Sequence, residues 1–328
     1  MKPSIRCARH HCRTIYNPVT YNLQRSYNSL PFKPKALFYP HSSNNIQRVS
    51  HELQILKDID PSIQVVTASI DMKYKDAIGE AWFDKPININ SYRRYKDVES
   101  EISTAFDHFR MVIHKKKIDL SFIHMFLEEQ IVNMYVKEPH GEFGNLLTQL
   151  EVELPFDENE TTYTSKSQYK AISGKLKVNE ISEEDYLIKK LSGFNAGALF
   201  EKLKDKTELM GKDYKYLLEV NENGKRNRVR VHDEHFGEED LGILIDSPPP
   251  AVGTNCQLYQ LCMDDLYTPV IFNGLLIEKY HKKNHKHFLR DDVIVENVLN
   301  LGATSGFMVD DRQYIGFGDH VKIEAIDQ

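Results

Sequence analysis

The chain has 328 residues, of which 41% are hydrophobic and 27% are charged, and its formal net charge is −6 at pH 7. This composition is ordinary for a globular protein with a sizeable core. The acidic balance makes nucleic acid an unfavourable partner, because like charges would repel the phosphates. No apolar stretch approaches the roughly 18 residues of a membrane-spanning helix, so we predict a soluble protein without a transmembrane segment.

The start of the chain is basic and contains no acidic residue before Glu52, although the whole protein is acidic. In a helical projection of residues 4–16, Arg6, Arg9 and Arg13 share one arc beside a mainly apolar arc. Arg-rich amphipathic segments without acidic residues are typical of mitochondrial transit peptides, since cations respond to a negative-inside potential. The pattern therefore predicts a mitochondrial targeting segment.

The predicted transit peptide covers residues 1–27, with cleavage between Tyr27 and Asn28. This predicts the mitochondrial import and processing machinery as partners and the mitochondrial matrix as the location. Removing the segment would take away five basic residues and no acidic residue, so the remaining chain would be more acidic still. The alternative is a basic arm that binds RNA or a membrane surface.

A strand, a helix and a second strand are predicted within residues 35–70. Residues 35–39 form a mainly apolar run that ends at Pro40, and apolar side chains recur at helical spacing over residues 46–59. Residues 62–70 are rich in β-branched side chains, which favour strands. The three elements predict a βαβ unit with parallel strands, and therefore an α/β fold class.

Two α/β halves with mixed sheets are predicted for the rest of the chain. The first half covers residues 28–153 and contains an amphipathic helix around residues 98–113 and a core helix over residues 120–136. Residues 154–180 are polar and predict a loop or linker. The second half covers residues 181–328.

A β-hairpin is predicted in the second half from residues 214–220 and 226–231, because the Asn-Gly pair between them suits a tight turn. Since side chains alternate along a strand, Arg226, Arg228 and Arg230 would point from one face. Three guanidinium groups on one face could clamp a carboxylate or phosphate ligand. The alternative is a solvated sheet face with weak ion pairs.

Two carboxylates, Glu151 and Glu153, are predicted on one face of another strand, where they could bind Mg²⁺ or Ca²⁺ if a third acid completed the set. Together with Gly318 and Asp319 in a late strand, this pattern resembles the fumarylacetoacetate hydrolase family. The resemblance implies a metal-dependent acyl hydrolase. The chain lacks the Asn-Asp-x-Ser-x-Arg-Asp stretch that supplies the family's third ligand and oxyanion donors.

Other catalytic motifs are absent from the sequence. It has no Gly-x-Ser-x-Gly, no phosphate-binding glycine loop and no cysteine pairs at zinc spacing. Cys256 and Cys262 are predicted to be buried structural thiols, and His281, His285 and His287 a solvated basic helix end. We therefore predict no cofactor.

A second resemblance covers more of the chain in separate pieces: residues 35–39, 65–71, 79–84 and 193–200, the strand with Arg228 and Arg230, and residues 240–244. These pieces resemble the FIST family, the α/β sensory domains named for F-box and intracellular signal transduction proteins. The resemblance implies small-ligand sensing and transfers no catalytic residues.

The sequence therefore predicts a matrix protein that acts by binding, as an accessory or sensor factor for respiratory-chain or mitochondrial gene-expression machinery. A mitochondrial protein complex is its expected partner, and a small anionic ligand would lie near Arg226, Arg228 and Arg230. The alternative function is the metal-dependent hydrolase that uses Glu151 and Glu153.

Overall fold

Sheets dominate the fold. The computed structural model describes residues 10–16, 18, 21–70, 77–94, 108–120, 134–184, 186–204, 215–222, 224–232, 242–261, 274–279, 293–303, 306–314 and 318–326. Within them, 56% of residues are in strands and 13% in helices. The predicted mixture of helix and strand is confirmed, but the picture of two α/β halves contains too much helix. None of the helices in these residues is long and apolar enough to cross a membrane.

The chain forms two compact units and passes between them more than once. One unit comprises Met1–Ser165, Val270–Asp310 and His320–Gln328, and the other comprises Lys166–Pro269 and Asp311–Asp319. The sequence-based division places residues 181–328 in one half, whereas here two stretches of that range belong to the first unit.

The elements of the first unit, numbered in chain order, are β1 (His10–Tyr16), α1 (Leu23–Asn28), β2 (Ala36–His41), a 3-10 turn (Ser43–Asn45), α2 (Ile46–Ile59), β3 (Gln64–Ser69), β4 (Ala77–Phe83), β5 (Asn88–Arg94), β6 (His108–Ile113), β7 (Lys116–Asp119), β8 (Met134–Lys137), β9 (Leu147–Glu153), β10 (Thr161–Lys166), β19 (Gly274–Lys279), β20 (Val293–Glu296), β21 (Val298–Ala303), β22 (Phe307–Val309) and β24 (His320–Ala325). Those of the second unit are β11 (Tyr169–Ala171), β12 (Leu176–Ser182), β13 (Leu187–Leu191), β14 (Phe194–Asn195), α3 (Ala196–Leu203), β15 (Tyr216–Glu222), β16 (Lys225–Val231), β17 (Ile243–Leu244), β18 (Asn255–Leu261) and β23 (Arg312–Tyr314).

The predicted βαβ unit is confirmed. Strands β2 and β3 are parallel neighbours joined by α2, and every residue of both strands is buried. Burial on both faces explains why their sequences read as continuous apolar runs. Helix α2 covers one face with Val49, Leu53 and Leu56, which recur at helical spacing.

The main sheet of the first unit extends from this motif in both directions. Hydrogen-bonded neighbours run β20, β1, β4, β2, β3 and β8. Further along, β9 pairs with β5 and β6, β6 with β7, and β7 with β22. A smaller sheet has the order β10, β24, β19 and β21.

Strand β1 occupies part of the predicted transit peptide. Residues 10–16 are a strand between β4 and β20, so the helical projection is wrong for them, while residues 1–9 lie outside the described part. Cys12, Thr14 and Ile15 have no exposed surface, because both faces of the strand are covered. Side chains on alternate sides of a strand can look amphipathic at helical spacing when the segment is short.

Three other elements differ from the sequence-based prediction. Residues 108–113 and 134–137 are strands where helices over 98–113 and 120–136 are predicted, and the rest of those ranges lies largely outside the described residues. The predicted loop over residues 154–180 contains β10, β11 and the start of β12. The sequence does not predict these strands, because many of their positions are exposed and carry polar side chains that are also typical of loops.

The second unit is built around the predicted hairpin, which is confirmed as β15 and β16 with Gly224 at a φ of 84° in its turn. Strand order continues as β11, β18, β15, β16 and β23, and β16 pairs with β23 in parallel. One face of this sheet packs into a hydrophobic core that includes Leu218, Val220, Val231 and Leu258. The opposite face carries the polar groups described next.

Candidate functional site

The candidate site is a charged cluster on the face of the β18–β15–β16–β23 sheet that lies opposite the core. We call it the arginine centre and define it by Arg228, Arg312, Glu219, Asp319 and the tyrosines Tyr259 and Tyr314. Strand alternation places it there, because Val231 enters the hydrophobic core while Arg228 points the other way. This alternation agrees with the prediction for the hairpin.

Arg228 is the middle of the centre, and its side chain has no exposed surface. Its Nε donates to Oε2 of Glu219 at 2.9 Å, the residue directly opposite it in the ladder. Its Nη1 donates to Oδ2 of Asp319 at 3.3 Å and to Oγ of Ser167 at 2.9 Å. Two carboxylates therefore compensate the charge of a guanidinium that would otherwise be costly to bury.

Further hydrogen bonds fix the backbone of Arg228 and the carboxylate of Asp319. The backbone N–H of Arg228 donates to Oε1 of Gln313 at 2.6 Å, and Oδ1 of Asp319 accepts from the backbone N–H of Gln168 at 2.9 Å. Asp319 is itself fully buried. Because the backbone of Arg228 and its partner Asp319 are themselves held by hydrogen bonds, the guanidinium of Arg228 is held in one orientation.

Two tyrosine rings flank the guanidinium of Arg228. Its Cζ lies 5.3 Å from the ring centroid of Tyr259 and 5.9 Å from that of Tyr314. Cations over aromatic faces are stabilised by the ring quadrupole. The pKa of Tyr259 is raised, first by burial and then by the negative charge of Glu219, so its hydroxyl stays protonated and can donate.

Arg312 brings a second guanidinium to the same place. Its Cζ lies 5.4 Å from the ring centroid of Tyr314, and its Nη2 lies 3.7 Å from Oε2 of Glu219. The parallel pairing of β23 with β16 sets Arg312 opposite Arg226. The sequence-based prediction missed Arg312, because nothing near Asp-Asp-Arg-Gln-Tyr in the sequence indicates pairing with a strand some 85 residues earlier.

Two buried donor atoms of the arginine centre have no partner in the described part of the chain. Nη2 of Arg228 and Nε of Arg312 have no hydrogen-bond acceptor among the residues that the structure describes. Buried guanidinium donors are normally bonded, since an unmade bond to a charged group is costly. The centre can therefore donate further hydrogen bonds to an anion.

The three arginines predicted to form an anion site differ in how deeply they are buried. Arg228 is buried, Arg226 is exposed, and Arg230 is half-buried with its backbone N–H donating to Oδ1 of Asp246 at 3.1 Å. The three side chains leave the same face, but the partner of Arg228 in the candidate site is Arg312. The candidate anion site therefore consists of Arg228 and Arg312 and not of the predicted three arginines. Its ligand stays a prediction.

The predicted metal site at Glu151 and Glu153 is engaged with basic and amide groups. Nη1 of Arg110 donates to Glu151 at 3.1 Å, while Glu153 lies 3.4 Å from the amide of Asn88. Arg110 also forms two hydrogen bonds with Asp119, which raise the pKa of Arg110 above its usual value. A cation already contacts Glu151, and the described residues contain no group of three metal-binding side chains.

The predicted cleavage point lies inside helix α1. Tyr27 donates its hydroxyl to Oδ2 of Asp60 at 2.9 Å, and its ring packs against Trp82. Asn28 is the last residue of the helix and is exposed. Cutting between them would remove β1 and most of α1 from the first unit.

The described cysteines are buried, as predicted for Cys256, whereas Cys262 lies outside the described residues. Burial raises the pKa of both Cys12 and Cys256 to about 12. Neither thiol is a nucleophile at neutral pH, because the reactive form is the thiolate. The histidines of the predicted basic helix end, residues 281–287, also lie outside the described residues.

No family model, no curated protein and no solved structure matches this chain. The resemblances to the FIST and fumarylacetoacetate hydrolase families therefore stay predictions.

Proposed function

We propose that this chain is a binding protein whose second unit holds a small anionic ligand between Arg228 and Arg312. One observation carries the proposal: each arginine has a buried donor without an acceptor among the described residues. Carboxylate and phosphate oxygens are the acceptors that best match guanidinium donors in charge and geometry.

The two donors belong to groups that lie close together. Both guanidinium groups lie within 6 Å of the centroid of the Tyr314 ring, and both approach Oε2 of Glu219. A single small ligand could therefore contact both. Because Arg228 is already held by Glu219 and Asp319, it would lose little conformational freedom on binding.

The mitochondrial part of the proposal rests on the basic, acid-free start of the chain. According to this part of the proposal, the protein serves as an accessory or sensor factor of a complex in the mitochondrial matrix. The packing of β1 supports a modified processing site: a cut that preserves the first unit falls before His10 and not after Tyr27.

Thermal unfolding of the full chain tests anion binding. Sodium acetate, sulfate and phosphate are each compared with sodium chloride at equal ionic strength. We expect at least one anion to raise the melting temperature of the wild type and to have no such effect on Arg312→Gln. The matched control is Arg226→Gln, which removes the exposed arginine opposite Arg312 and should keep the response.

The stability of the variants without ligand completes the test. Because Arg312 is about one-third exposed, Arg312→Gln should lower the unliganded melting temperature by less than about 4 °C. If it unfolds the protein, Arg312→Lys, which keeps the charge but lacks the Nε donor, should still weaken binding. The proposal fails if no anion exceeds chloride, or if Arg226→Gln abolishes the response as fully as Arg312→Gln.

A further inference from the structure

The charges of the arginine centre are already balanced in pairs. Arg228 and Arg312 contribute two positive charges, and Glu219 and Asp319 contribute two negative charges. The side chains of Arg228 and Asp319 have no exposed surface, and that of Glu219 is 11% exposed. Any charge that a ligand brings is therefore only weakly solvated.

This balance favours a ligand with a single negative charge. The cost of moving an ion out of water rises with the square of its charge, so a dianion loses much more hydration than a monoanion. Arg226 lies opposite Arg312 but is exposed, so solvent screens its charge and it offsets little of the charge of a buried dianion.

The two donors also favour a planar acceptor. Each belongs to a planar guanidinium: Nη2 of Arg228 offers two N–H groups and Nε of Arg312 offers one. A carboxylate has two oxygens in one plane, and their lone pairs can accept all three hydrogen bonds. The tetrahedral oxygens of phosphate or sulfate would leave acceptors without donors in the same buried place.

Apolar surface adjoins the donors. Tyr259 packs with Tyr169, Leu217 and Leu261 in a small hydrophobic cluster, and Leu217 lies directly opposite Tyr259 in the ladder. Tyr259 also flanks the guanidinium of Arg228. A ligand carboxylate at the arginines would therefore place an attached organic group beside the partly exposed ring of Tyr259.

We infer that the ligand of the arginine centre is a small organic monocarboxylate, and this rests on the proposed anion binding at Arg228 and Arg312. The carboxylate accepts from the two unbonded guanidinium donors, and its carbon skeleton contacts Tyr259. Phosphate esters and sulfate are excluded from the class by their charge and their shape.

Isothermal titration of the full chain with acetate, benzoate, sulfate and inorganic phosphate tests the ligand class. Experiments run at pH 7.5 and constant ionic strength. We expect the dissociation constants of the carboxylates to be about tenfold lower than those of sulfate and phosphate, with benzoate the tightest. Tyr259→Ala should remove the advantage of benzoate over acetate.

A variant that changes the charge of the arginine centre tests the preference for monoanions. Glu219→Gln keeps an oxygen acceptor for Nε of Arg228 but removes one negative charge, so the preference for monoanions should shrink by about fivefold. The control is Glu180→Gln, which changes a surface residue paired with Lys190 and should leave the preference unchanged.

The outcomes separate this inference from the proposed function. Equal or tighter binding of sulfate or phosphate that is lost in Arg312→Gln would overturn the ligand class and leave anion binding intact. No binding of any of the four anions would overturn both. Carboxylate binding that survives Arg312→Gln would show adventitious binding and would also overturn both.

Discussion

The hydroxyl of Ser26 joins Arg13 to Glu80, which face each other across the ladder between β1 and β4. Nη1 of Arg13 donates to this hydroxyl at 2.5 Å, and the hydroxyl donates to Oε2 of Glu80 at 2.5 Å. Trp82 donates its indole N–H to the same carboxylate oxygen at 2.7 Å. The other oxygen of Glu80 has no partner among the described residues.

The burial of Glu80 predicts a pH dependence of stability. Loss of solvation raises its pKa to about 8, against the opposing effects of Trp82 and Arg13. The same carboxyl in the unfolded chain has a pKa of 4.5, so between pH 4.5 and pH 8 the folded state holds the extra proton. Its contribution to the free energy of unfolding therefore falls as pH rises, by at most about 1.4 kcal/mol per pH unit.

Glu80→Gln isolates this contribution, because the amide oxygen still accepts from Ser26 and Trp82. Urea unfolding at pH 5, 6.5 and 8 should show the variant gaining stability relative to the wild type as pH rises. Glu153→Gln, at an exposed position, is the control and should follow the wild type. A constant difference between Glu80→Gln and the wild type across the three pH values would contradict the assignment.

Two arginines of the predicted transit peptide have different structural roles. Arg13 donates to Glu296, Ser26 and Ser29, whereas the side chain of Arg25 is exposed. Arg13→Ala should lower the free energy of unfolding by about 1–3 kcal/mol, because it removes the donor to the buried hydroxyl of Ser26. Arg25→Ala should change it by less than about 0.5 kcal/mol. Equal values in chemical denaturation would show that Arg13 is not structural.

Truncation tests the packing of β1 more directly. A chain that begins at Asn28 lacks the strand between β4 and β20 and should fail to unfold cooperatively in circular dichroism. A chain that begins at His10 should behave like the full protein. Cooperative unfolding of the Asn28 form at the full-length melting temperature would restore the predicted cleavage site.

Asp319 provides a test of the arginine centre as a structural unit. Asp319→Asn removes one of the two carboxylates that bind Arg228, and breaking a buried ion pair typically costs about 3–5 kcal/mol. Asp246→Asn is the matched control, because that exposed carboxylate accepts from the backbone N–H of Arg230, which lies in the same strand as Arg228. We expect a large loss of unfolding free energy for the first variant and a small one for the second, and a reversed order would contradict the geometry.

The sequence predicts those elements whose patterns fit only one structure. The βαβ unit combines continuous apolar strands with a helix of clear periodicity, and the Asn-Gly turn defines the hairpin. Phe109 and Ile113 in β6 are four positions apart, which suits both a helix face and one side of a strand. Short amphipathic segments of this kind cannot be assigned from periodicity alone.

The arginine centre could be predicted only in part, for a different reason. Alternation along β16 shows that Arg228 leaves the face opposite Val229, and this is a local property of the chain. Arg312 and Asp319 reach Arg228 through long-range pairing, which leaves no local signal. Burial, which decides that Arg228 and not Arg226 is the central residue, also depends on these distant segments.

The pairing of β1 with β20 has a consequence for the order of events on the ribosome. Arg13 is translated 283 residues before Glu296, its partner on the outer strand. Until then one edge of β1 exposes backbone groups that can pair with the wrong strand or with another nascent chain. The pairing of β1 is therefore completed only after β20 has been synthesised.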